Sequence, residues 1–253
     1  MAGLLLSGVA SVIAVFFLRR LGGLLFDDRV GRLAGVLLLV FPTSLFLSAF
    51  YTEGLFVCLA SACMFYYFRA RFLLCGVLGF CAMLTRSTGI VLFAALALDL
   101  AARLQRREQR FRPEMLGLGL IPLGLVAFML LLEREVGDPL AFVEASQHWR
   151  GGVLQQRFID ALFGASFLAL AAAMAAKRLP IALWSFVLLG VLLPLSTYGL
   201  GAMTRYVLVL FPAFLFMSLS CQGKPRQQAA LVIGSFLLLC INSLNFMQCG
   251  WAG

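Results

Sequence analysis

Apolar residues in this chain neither alternate nor recur only at helical spacing. They come in long unbroken runs separated by brief polar interruptions, reading as 2–18, 33–50, 54–68, 72–85, 88–100, 115–132, 161–176, 180–197, 206–220 and 229–248. Such a run must satisfy its backbone hydrogen bonds internally once it leaves water, which predicts helices rather than strands. The expected fold is all-α, a polytopic transmembrane helical bundle of about ten short or broken spans. Several runs fall short of the roughly 20 residues of a full crossing. The first run has no basic residue before it and Arg19-Arg20 after it, the reverse of a signal peptide. No internal repeat or low-complexity segment is evident, so 1–253 reads as a single transmembrane domain.

Composition agrees with the pattern. Apolar residues make up 62% of the chain and charged ones 12%, about half the share of a soluble domain. Mean hydropathy is +1.00. A net charge of +9 would suggest nucleic acid in a soluble protein, but here the basic residues sit in short loops between apolar runs, so no nucleic-acid partner is expected. The seven cysteines, Cys58, Cys63, Cys75, Cys81 and Cys240 among them, lie mostly inside the runs without metal-type spacing and read as small packing residues.

Whether 72–98 is one tilted helix or two changes the side on which every later segment falls. With a break at Thr85-Arg86-Ser87, 15 of the 20 basic residues collect on one face, and only Arg86, Arg134, Arg150, Arg157 and Arg205 on the other. A single helix would instead place the five-arginine loop 101–114 outside, against the positive-inside bias. The broken version is adopted, the arginine-rich face is cytoplasmic, and 101–114 is a basic cytoplasmic loop. The polar clusters embedded in apolar sequence then all fall on the outer side, where 133–160 forms the one long extracytoplasmic loop.

Ionisable groups between apolar runs are expensive unless they pair or face water, which makes each one a functional candidate. Glu53 sits in a turn between two runs, where a carboxylate can act as general base toward a sugar hydroxyl or serve as structural partner of Arg86. Arg86 interrupts a hydrophobic stretch and precedes Ser87, Thr88 and Gly89, a helix start suited to phosphate. Arg205, between Thr204 and Tyr206, is a second cation at the same level, and two such guanidiniums can hold a lipid-linked phosphate. The bland reading of both is an interfacial anchor. In the outer loop, Asp138 marks a turn in Gly137-Asp138-Pro139, and Gln147-His148-Trp149 offers an amide for sugar hydroxyls and an indole for stacking. His148 is the only histidine, which excludes a histidine-rich metal site. No Walker or dinucleotide glycine motif is visible, and no cofactor is expected.

Phe41-Pro42-Thr43 through Tyr51-Thr52-Glu53-Gly54-Leu55-Phe56, then Leu84-Thr85-Arg86-Ser87-Thr88-Gly89, the loop from Gly137 to Trp149, and Thr204-Arg205-Tyr206 with Phe211-Pro212 together resemble the PIG-V-like mannosyltransferases of the GT-C class. That family includes the second mannosyltransferase of glycosylphosphatidylinositol (GPI) anchor synthesis. The resemblance runs in order from about residue 35 to the C-terminus, where 246–252 is similar to the family's closing segment. It implies transfer of mannose from a polyprenyl (dolichyl) phosphate donor to a lipid-linked glycan acceptor on the lumenal or extracytoplasmic side, with membrane lipids as surroundings. Tyr51 and Glu53 fall in its Tyr-Ser/Thr-Glu motif, Arg86 and Ser87 in its arginine motif, and Arg205 and Tyr206 in its late Arg-Tyr/Phe motif.

The family's outer loop with a Trp-Asp motif, whose aspartate is the expected catalytic carboxylate, has no counterpart in 1–18. Three readings follow: an N-terminal truncation, a partner membrane subunit that supplies the missing piece, or an inactive homologue. On the enzyme reading Glu53 is a base or sugar ligand, Arg86 and Arg205 are the phosphate clamp, and Gln147 with Trp149 is the sugar platform. The alternative is a non-catalytic lipid-binding scaffold or flippase-like transporter using the same outer groove. The membrane expected is the plasma membrane in a prokaryote or the endoplasmic reticulum in a eukaryote.

Overall fold

The computed structural model describes residues 2–143, 154–197 and 202–247, and among these every regular element is a helix. In order they are α1 (Ala2–Leu25), α2 (Asp28–Val40), α3 (Leu45–Ser48), α4 (Glu53–Phe68), α5 (Phe72–Thr85), α6 (Gly89–Gln105), a 3-10 helix (Pro113–Gly119) continuing into α7 (Leu120–Val136), α8 (Leu154–Ala176), α9 (Ile181–Thr197), α10 (Met203–Leu208), α11 (Pro212–Ser220) and α12 (Pro225–Met247). Four helical stretches, Gly3–Leu25, Pro113–Val136, Arg157–Ala176 and Pro225–Met247, are long and apolar enough to cross a membrane. Glu53–Phe68, Phe72–Thr85 and Ile181–Thr197 are apolar but shorter.

The chain breaks where its residues forbid continuation. Pro42 ends the run 33–50 as one helix, leaving α2 and the single turn α3, and Pro212 splits 206–220 into α10 and α11. The expected break at 85–87 is present: α5 stops at Thr85, Arg86 is extended (φ −154, ψ 135), and α6 begins at Gly89. Elsewhere the helices outrun their apolar stretches. α1 carries Arg19 and Arg20 to Leu25, α6 reaches Gln105, α7 ends at Val136, and α8 starts at Leu154, so both ends of the stretch 133–160 are helical. Hydropathy marks where a segment is apolar, whereas Arg, Gln and Glu propagate a helix as well as Leu does.

The helices pack α1 on α2 and α4, α4 on α5, and α5 on α7, with α9 against α6 and α8. Small residues permit the closest approaches. A side chain on Gly31 would put its first carbon 2.3 Å from the Arg19 carbonyl oxygen, and one on Gly76 would sit 1.9 Å from that of Gly117. Phe41, Phe163, Phe167 and Phe214 meet edge to face, locking α2, α8 and α11 together. Outward, α1, α7, α8 and α12 present Leu5, Val12, Leu116, Leu130, Phe158, Ile233 and Phe236. So much exposed apolar surface suits acyl chains rather than water.

The arginine-rich end is built with repeated chemistry. Ala70, Arg107 and Arg178 adopt left-handed backbone conformations just past α4, α6 and α8. The following amides, of Arg71, Glu108 and Leu179, reach back to the carbonyls of Tyr66, Arg103 and Met174 at 2.9, 2.9 and 3.1 Å, closing each helix in a Schellman-type turn. Nearby, buried Asp99 on α6 accepts hydrogen bonds from Tyr67 Oη (2.7 Å), Arg103 Nε (2.6 Å) and the Ala182 amide (3.2 Å). It satisfies an otherwise orphaned amide at the start of α9 and pins α4, α6 and α9 together.

Candidate functional site

The opposite end gathers the polar interruptions singled out in the sequence. Glu53 opens α4 and is completely buried. Its Oε1 accepts from Arg86 Nη1 at 2.6 Å and from Arg205 Nε in a second, shorter ion pair. Residues 33 and 152 positions downstream of it thus converge on one oxygen. Two cations against one anion leave the cluster with a formal charge of +1. The arginine side chains retain 13% and 25% exposure, whereas the Glu53 side chain has none.

Aromatic rings frame the charges. The Arg205 guanidinium lies 4.2 Å from the ring centre of Tyr51 and 5.1 Å from that of Phe46, and Arg86 lies 5.8 Å from Tyr206. Ring faces attract cations most strongly where water is scarce. Tyr51, Glu53, Arg86, Arg205 and Tyr206 therefore form one assembly. Ser87 lies in the three-residue turn beside Arg86.

The backbone beneath this assembly is tied at several points. Gly54 lets the start of α4 press against α1 and α3, since an added side-chain carbon would sit 2.6 Å from the Leu47 carbonyl oxygen and 2.7 Å from Ser11 Oγ. Ser11 Oγ donates to the Leu47 carbonyl at 2.7 Å and Ser7 Oγ to that of Tyr51 at 3.2 Å. Thr204, beside Arg205, is gripped from two sides: its amide donates to buried Asp160 Oδ1 at 2.9 Å and its carbonyl accepts from Thr43 Oγ1 at 3.1 Å. Asp160 on α8 thus caps the start of α10 from outside that helix.

Three buried oxygens around the cluster, Glu53 Oε2, Thr88 Oγ1 and Thr204 Oγ1, have no hydrogen-bond partner among the described residues. Native proteins leave few buried polar atoms unsatisfied, and those that remain point to a ligand or solvent partner. The arrangement offers an excess positive charge that an anion can meet. Among the described residues no three of His, Cys, Asp and Glu come together as a metal site.

Two sequence candidates stand apart. Asp138 follows α7, and its Oδ1 accepts from the Leu140 amide at 2.8 Å, an Asx turn closing its own loop; it takes no part in the ion-pair cluster. Gln147, His148 and Trp149 lie outside the described residues. Conversely, Phe46, Asp160 and Asp99 were not singled out by the sequence pattern. For the two aspartates the signal existed, a lone carboxylate within or beside an apolar run. Phe46 is one of 24 phenylalanines, and nothing in the sequence sets it apart. No family model, curated protein or solved structure matches the chain.

Proposed function

We propose that this chain is a membrane glycosyltransferase whose outer cluster receives the phosphate of a polyprenyl-phosphate sugar, with mannose the sugar implied by the resemblance to the PIG-V-like family. The observation that carries the reading is the convergence of Arg86 and Arg205 on Glu53 with one positive charge in excess. In a site of low dielectric, that charge stabilises a phosphate as it departs from the sugar carbon. Glu53 holds the two guanidiniums at fixed spacing. A carboxylate that already neutralises two cations loses both attractions on taking a proton. The proton from the acceptor hydroxyl is therefore assigned to the carboxylate of the Trp-Asp loop that the resemblance implies, not to Glu53.

The test is transfer of radiolabelled mannose from polyprenyl-phosphate mannose by membranes expressing the chain, alone and together with a segment carrying a Trp-Asp loop. No transfer in either case, at good expression, would overturn the enzyme reading. The complete burial of Glu53 within a closed ion-pair knot also favours a second reading, a non-catalytic lipid-binding scaffold or flippase-like transporter. Binding of polyprenyl phosphate without turnover, lost in R86A and R205A, would select it.

A further inference from the structure

At the arginine-rich end, α2, the end of α11 and the start of α12 enclose a cavity of about 410 Å³. Its polar wall carries three cations, Arg29, Arg32 and Lys224, and no carboxylate. Arg32 shares Asp28 with Arg19, at 2.6 Å and 3.0 Å, whereas Arg29 and Lys224 form no ion pair among the described residues. Asp27 stands near the rim, where Gln222 Nε2 reaches its Oδ2 at 3.4 Å. The inner wall is apolar, with Leu33 and Val36, and beyond it α12 packs along α2. α12 buries none of its residues and presents Ile233, Phe236 and Leu237 outward.

A cationic mouth above an apolar wall and the exposed apolar surface of α12 has the polarity of a phospholipid: phosphate at the surface, acyl chains below. We infer that this cavity binds the headgroup of an anionic phospholipid of the leaflet facing the arginine-rich end, through Arg29 and Lys224, with an acyl chain lying along the exposed apolar surface of α2 and α12. A zwitterionic headgroup carries its own ammonium into the cationic mouth and binds less well. The site lies at the far end of the bundle from the Glu53 cluster and does not depend on the proposed reaction.

The experiment is thermal unfolding of the detergent-purified full chain titrated with phosphatidylglycerol, phosphatidylcholine or inorganic phosphate. Phosphatidylglycerol is expected to raise the midpoint by about 5 °C near saturation, with little effect from the other two. In R29Q/K224Q the shift should fall to about 1 °C or less while the lipid-free midpoint stays at the parent value, because neither side chain holds a partner whose loss would destabilise the fold. An equal shift with phosphatidylcholine, or one that survives in R29Q/K224Q, would refute the assignment. A shift reproduced by inorganic phosphate alone would make this a free-anion site and refute the lipid. Native mass spectrometry supplies the second readout, in which the retained phosphatidylglycerol adduct should drop at least about tenfold in the variant.

Discussion

Replacing Glu53 with glutamine keeps the shape of the ion-pair cluster and removes the charge that holds it. In the native protein one buried oxygen serves two guanidiniums, one of them at 2.6 Å. At an effective dielectric of about 20, each such attraction is worth about 4 kcal/mol before the cost of desolvating the ions. E53Q turns two attractions into weak hydrogen bonds and leaves two cations facing each other across a neutral amide. Removing one partner of a buried pair costs about 3–5 kcal/mol, and the residual exposure of both arginines places this case near the lower figure. At about 2–4 °C per kcal/mol for a chain of this size, unfolding in detergent should fall by about 10 °C. The double variant E53Q/R205Q removes one of the opposed cations as well, and should recover about 1.5–3 kcal/mol relative to the sum of the single changes. If E53Q melts within about 2 °C of the parent, or if the two changes simply add, the shared-carboxylate account of the cluster fails.

Other predictions address separate parts of the molecule. D99N should destabilise by about 2–3 kcal/mol and Y67F by about 1–2, because the second leaves Asp99 bound to Arg103 and the Ala182 amide; the reverse order in detergent unfolding would count against Asp99 as the junction of α4, α6 and α9. G54A should displace the start of α4 and, on the enzyme reading, lower mannosyl transfer more than it lowers the unfolding temperature, whereas parallel losses would reduce Gly54 to a packing residue. A70G should stabilise by about 0.5–1 kcal/mol by relieving a left-handed non-glycine residue, and a loss of stability would contradict the turn geometry. D138C should react with impermeant maleimide on intact cells and R110C only after permeabilisation; the opposite result reverses the orientation in the membrane.

Helix identity was legible from residue type alone, because unbroken apolar runs exclude the alternation of a half-buried strand; the break at 85–87 followed from the charge count, whereas the breaks at Pro42 and Pro212 fell inside runs read as continuous. Helix ends were less legible. The charged residues that continue α1, α6 and α7 past their apolar stretches are invisible to hydropathy yet compatible with helix geometry. At the end opposite the arginine-rich one, sequence singled out Glu53, Arg86 and Arg205 as anomalies in apolar surroundings, but their mutual arrangement depends on how α4, α5 and α10 pack. Phe46 shows the limit. Its position beside Arg205 follows from the turn after Pro42, and no pattern in the residues near it announces a cation partner 159 positions on. Asp160 and Asp99 were readable in principle, since a carboxylate beside an apolar run needs a donor, yet sequence cannot show that the donors are amides at the starts of other helices.

The ion-pair cluster joins segments that leave the ribosome at different times. Glu53 gains its first partner 33 residues later, but Arg205 follows 152 residues behind it. At about 5–20 residues per second, synthesis from Arg86 to Arg205 takes about 6–24 s, during which the amino-terminal half holds a charge-neutral Glu53–Arg86 pair that lacks its second guanidinium. The amino-terminal and carboxy-terminal halves are thereby latched by a late event, and a chain stalled before α10 lacks the tie that Arg205 makes between them.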